Sequence, residues 1–83
     1  NLEEELINQF NVYPNPTSGI LNINTPNDLG IQYIIEVYDF LGRKIMSKEN
    51  SKSIDLKYLA AGNYKILIKY NSGIKWSTII NKK

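Results

Sequence analysis

The sequence predicts an all-β fold, an antiparallel β-sandwich of six or seven short strands, on three observations. Apolar and polar residues alternate at period two through most of the chain, as half-buried strands require. Turn-forming residues interrupt the alternation about every 8 to 12 residues, the spacing of sandwich strands. No stretch after the first ten residues is long enough for the helix of a parallel βαβ crossover.

The chain opens on "NLEEELINQF", with apolar residues at 2, 6, 7 and 10 and an acidic run where a helix dipole favours it. Residues 1–9 therefore read either as a short helix or as a linker. The domain proper spans 10–83, with a first strand starting around Phe10. In "NVYPNPTSG", Pro14 and Pro16 fix φ near −65° and push Tyr13 and Asn15 out of the helical region, which makes a stiff bend. Gly19 is expected to take a positive φ and turn the chain into the next strand.

"GILNIN" then sets Leu21 and Ile23 against Asn22 and Asn24, and "TPNDLG" ends it with turn formers. "IQYIIEVYD" has Tyr33, Ile35 and Val37 on one face and Ile34, Glu36 and Tyr38 on the other, so it predicts an interior strand covered on both sides. "FLGRKIMSKE" returns through Gly42 as the second arm of a hairpin. In its turn, Asp39 is expected to bond backbone amides, Gly42 to supply the φ, and Arg43 to be solvated or paired with a nearby carboxylate. Ile54 and Leu56 mark a further strand, and "KYLAAG" reads as one helical or 3₁₀ turn closed by Gly62. "NYKILIKY" aligns Tyr64, Ile66, Ile68 and Tyr70 opposite Lys65, Leu67 and Lys69. Tyr64 is expected to seat its hydroxyl on a backbone group. After the "NSG" turn, "IKWSTIINKK" places Ile74, Trp76, Thr78 and Ile80 on one face.

Composition narrows the function. At 83 residues the chain is one domain that buries only about 60% of its unfolded surface, with little room for an enclosed active site. It holds no Cys and no His, so thiolate chemistry, disulfides, His-based triads and the commonest zinc ligands are excluded within it. "TSG" and "NSG" read as turns rather than as a serine nucleophile site, and no enzyme, cofactor or metal is expected. Asp28, Asp39 and Asp55 lack the spacing of a calcium loop. The net charge of +2 divides into −3 over Glu3 to Glu5 and ten basic against five acidic residues, +5, from Asn11 onward. Those cations are spread along the strands, which disfavours a nucleic-acid patch. No apolar run reaches the length of a membrane-spanning helix. A start at Asn1, with neither Met nor a basic, apolar leader, predicts a processed piece whose export signal lay upstream.

Four landmarks occur in order: "YPNPTSG" before an alternating strand, "VYDFLGRKI", "IDLKYLAAGNYKILI" and a basic "IINKK". Together they resemble the type A C-terminal sorting domain of the type IX secretion system of Gram-negative bacteria, over roughly Phe10 to Lys83. The resemblance implies an immunoglobulin-like sandwich without chemistry of its own that follows a cargo domain. It implies recognition by a translocon and an outer-membrane shuttle, with periplasmic transit. A sortase then removes the domain and couples the cargo to the cell surface. It places recognition on Gly62, Tyr64 and Ile80 to Lys83, with Ile80, Lys82 and Lys83 at the basic end; Asn81, between the apolar pair and the lysines, departs from the family pattern.

Tyr13, Pro14, Asn15, Pro16, Gly19, Asp39, Gly42 and Arg43 form the remaining family motif; the first five read either as a receptor-facing epitope or as a bend, and turn geometry favours the structural role for all of them. The last strand offers a route to recognition if it lies at a sheet edge, where unpaired main-chain groups accept a partner strand and pockets check Ile79 and Ile80. The same edge is a surface through which two copies can pair. Lys82 and Lys83 would steer toward an acidic partner. Two rival readings are a carbohydrate-binding module, invited by Trp76 with Tyr33, Tyr38, Tyr58, Tyr64 and Tyr70, and an adhesive or spacer domain. Core packing is the default for those aromatics.

Overall fold

Period-two alternation becomes seven strands among the described residues, which in this computed structural model are 8–26, 32–71 and 73–83. They are β1 (Asn11–Tyr13), β2 (Ile20–Asn24), β3 (Tyr33–Tyr38), β4 (Lys44–Glu49), β5 (Ser53–Asp55), β6 (Gly62–Tyr70) and β7 (Lys75–Lys82). The helix-or-linker segment 1–9 falls mostly outside the described residues, as does most of the "TPNDLG" turn.

Two sheets form, β1-β2-β5 and β4-β3-β6-β7, and every strand pair in them is antiparallel. This division, with the fourth strand joined to the sheet of the third, sixth and seventh, is an immunoglobulin-like arrangement. The expected interior strand is β3, flanked by β4 and β6.

Inward residues of both sheets make one core. Val12, Leu21, Ile23, Ile54 and Leu56 come from the smaller sheet and its margins, and Tyr33, Ile35, Val37, Tyr64, Ile66, Ile68, Tyr70 and Ile80 from the larger. Phe10 closes one end, stacked on Trp76 at 5.5 Å between ring centroids and edge-on to Tyr70 at 5.8 Å. Here, at the proximal end, the chain enters the sandwich. At the distal end lie the β3–β4 turn, the start of β6 and the end of β7.

Two local expectations change. Gly19 does not have a positive φ; among the described residues the glycines that do are Gly42, Gly62 and Gly73. The turn into β2 is made instead by Thr17, whose buried hydroxyl accepts from Gly19 N–H (3.1 Å) and donates to Ile20 C=O (2.8 Å). "KYLAAG" has the expected single turn, Leu59 N–H donating to Leu56 C=O, but Gly62 does not close it: at φ +151° it opens β6.

Candidate functional site

The landmarks that are far apart in sequence meet at the distal end. β7 is an edge strand, and the "YPNPTSG" bend lies along part of its outer side. Thr17 N–H donates to Asn81 C=O and Lys83 N–H donates to Thr17 C=O, both at 2.9 Å. Asn15 adds its side-chain amide: Nδ2 donates to Ile79 C=O (3.2 Å) and Oδ1 accepts from Asn81 N–H (2.9 Å). The motif bend is thus a clamp on the end of the last strand.

Alternate residues of an antiparallel ladder direct their main-chain groups toward the partner and the others direct them away. Because Asn81 points outward to the bend and β6–β7 pairing runs without a bulge, Ile79, Ser77 and Lys75 point outward too. Among the described residues, no bond is made by the outward groups of Lys75 and Ser77 or by the Ile79 N–H. The edge is closed beyond Ile79 and open before it.

The β3–β4 turn forms the next wall. Asp39 Oδ1 accepts from Leu41 N–H and Arg43 N–H, and its Oδ2 from Arg43 Nε (2.8 Å). The Arg43 amide, with the guanidinium and Leu41 amide after it, holds the Asp39 carboxyl below the usual carboxylate range. Gly42 supplies φ +84°, which a residue with a Cβ resists. This rigid turn lifts Phe40 and Leu41 into solvent, 86% and 74% exposed. Behind it Tyr64 sits in the core and donates its hydroxyl to Ala60 C=O at 2.6 Å. That is the tyrosine corner of immunoglobulin-like domains, at the start of the equivalent strand.

Between the turn, β6 and β7 lies an open cleft of about 620 Å³, with Tyr38, Phe40, Lys65, Leu67 and Ile79 among its lining residues. A second depression of about 310 Å³ is lined by Leu41, Arg43, Ala61, Gly62 and Asn63, among others. On the same sheet face, Glu36 is only 4% exposed. It accepts from the Tyr38 hydroxyl (2.8 Å) and pairs with Lys69 (3.2 Å) and Lys44 (3.4 Å). The Tyr38 bond, aided by the two lysines, lowers its pKa despite burial, and the same bond raises that of Tyr38.

The residue matches are uneven. Gly62, Tyr64, Ile79, Lys82 and Lys83 gather at the distal end with Asp39, Gly42 and Arg43. Ile79 is 58% exposed at the cleft, whereas Ile80 is fully buried and shows no side-chain surface. Tyr13, Pro14, Asn15 and Pro16 are exposed, and Gly19 is buried. Sequence reasoning did not find the Asn15 clamp, Thr17, Lys65 or the Phe40–Leu41 tip. The tip had a signal, two large apolar residues inside a hairpin turn. Among the described residues, no cluster of acidic side chains suits a metal ion. Tyr33, Tyr64 and Tyr70 are core residues, and Trp76 has its face on Phe10.

The tail clamp, the Asp39–Arg43 turn and the tyrosine corner occur in one immunoglobulin-like frame. The family model of the secretion system C-terminal sorting domain matches residues 11–82. The chain belongs to this family. It is a type IX sorting signal, the kind of domain that follows a cargo and directs it through the outer membrane to the cell surface or beyond. A search of curated proteins returns no match. The family is one of signals rather than catalysts.

Proposed function

We propose that this sorting domain is an address read at its distal end by the type IX translocon and its outer-membrane shuttle, after periplasmic transit. A sortase then releases the domain and joins the cargo, attached N-terminally through residues 1–9, to the surface. The domain performs no catalysis and uses no cofactor. The observation that supports this reading is the convergence of Gly62, Tyr64, Ile79, Lys82 and Lys83 with the Asp39–Arg43 turn, at the end opposite the chain's entrance at Phe10. A receptor can reach that end while cargo occupies the other.

The test is export of a periplasmic fluorescent reporter fused to residues 1–83 in a host with type IX secretion. A copy ending at Ile79 loses the core residue Ile80 and three of the four main-chain atoms the clamp holds, so its failure to export would mix unfolding with loss of address. A second copy, Lys82→Glu with Lys83→Glu, keeps both. Reporter outside the cell for the unaltered fusion and retained for the folded charge-reversed one is the expected result. Equal export of the two would remove the lysines from the address, and no export of the unaltered, folded fusion would overturn the reading.

A further inference from the structure

We propose that the open half of the β7 edge, Lys75–Ile79, takes up an extended, acidic strand of a partner protein, with a large apolar side chain of that strand entering the cleft beside Ile79. This rests on the address reading and names the chemistry of its partner. A sheet edge with unpaired main-chain groups accepts a strand, main-chain bonds supplying affinity and an adjacent pocket supplying selectivity. On β7 the available groups are those of Lys75 and Ser77 and the Ile79 N–H, because Asn15 and Thr17 occupy the groups beyond. The clamp is therefore a stop that fixes where an incoming strand must end.

The other edges fit less well. β1 and β5 have three residues each, and β4 pairs with β3 through a register shift at Val37/Tyr38 and presents mainly charged side chains. Among the described residues, only β7 sets an exposed isoleucine between an open edge and this apolar cleft; Ile45, exposed on β4, does not line it.

Charge selects the partner. The acids beside the cleft are already committed, Asp39 to Arg43 and Glu36 to Lys44 and Lys69. Lys65, Lys75, Lys82 and Lys83 make no ion pair among the described residues. An acidic strand meets this excess, whereas a basic one is repelled.

The experiment measures binding of the 83-residue chain to a purified outer-membrane shuttle protein of a type IX host in detergent. Hydrogen exchange is followed in the free and bound domain. The expected result is new protection at the Ser77 and Ile79 amides. Ser77→Pro removes an outward N–H and no bond of the β6–β7 ladder, at an edge position where strands tolerate proline, and with the fold checked by circular dichroism it should weaken binding at least about tenfold. Lys65→Glu should weaken it and reduce its salt dependence. Binding by the unaltered domain without protection at Ser77 and Ile79 overturns the strand proposal and leaves the address reading intact. No shuttle binding, with attachment to anionic lipid vesicles or self-association instead, overturns both.

Discussion

Replacing Asn15 with Ala tests whether the motif bend holds the last strand. The change removes the Nδ2 bond to Ile79 C=O and the Oδ1 bond from Asn81 N–H, and leaves the two Thr17 main-chain bonds in place. A hydrogen bond contributes about 0.5–1.5 kcal/mol net, so the pair amounts to about 1–3 kcal/mol. Both bonds are exposed, and the freed groups of Ile79 and Asn81 turn to water rather than staying buried and unpaired. The lower part of the range applies, about 1–2 kcal/mol. A domain of this size has about 4–12 kcal/mol in total, so the loss is visible as a fall in the urea midpoint at unchanged slope. In a thermal scan it corresponds to about 5–15 °C. Hydrogen exchange should locate the effect, with the Asn81 amide losing protection while β6–β7 amides such as that of Thr78 retain theirs. An unchanged midpoint would refute the clamp, and uniform loss along β7 would show that the bend supports the whole strand rather than its end.

Further outcomes follow from single contacts. Thr17→Val keeps the shape but strips the acceptor from the buried Gly19 N–H, and should cost about 1–3 kcal/mol in denaturant titration. Tyr64→Phe removes the corner bond to Ala60 and should cost about 1–2 kcal/mol with the sandwich retained, checked by circular dichroism and urea midpoint. Ile80→Ala opens a cavity at a fully buried site and should cost about 2–5 kcal/mol, far more than Ile79→Ala beside it. Because the folded-state pKa of Glu36 is depressed, its contribution is fully present above the unfolded value, near 4.3, and is lost as pH falls through the folded one. Glu36→Gln should flatten the acid limb of the stability profile, and an unaltered limb would refute this assignment.

The residue order alone specifies the strands and their faces. Period two places Leu21 and Ile23, or Tyr64, Ile66, Ile68 and Tyr70, on one side of the backbone whatever lies across from them. It likewise determined the Asp39–Gly42 turn, since an Asp side chain reaching amides two and four residues on is a local event. Tertiary structure decided what required knowing which strands become neighbours. Asn15 meets Ile79 across 64 residues, and that contact divides the β7 edge into a closed and an open half. The strand order sets Lys44 and Lys69 on either side of Glu36, which makes a buried carboxylate tenable. Gly19, read locally as a positive-φ turn, is shaped instead by the Thr17 hydroxyl and by its carbonyl accepting from Leu56 N–H. Alternation specifies which face a residue occupies but not the partner that covers it, so the distal site emerges only when both sheets are assembled.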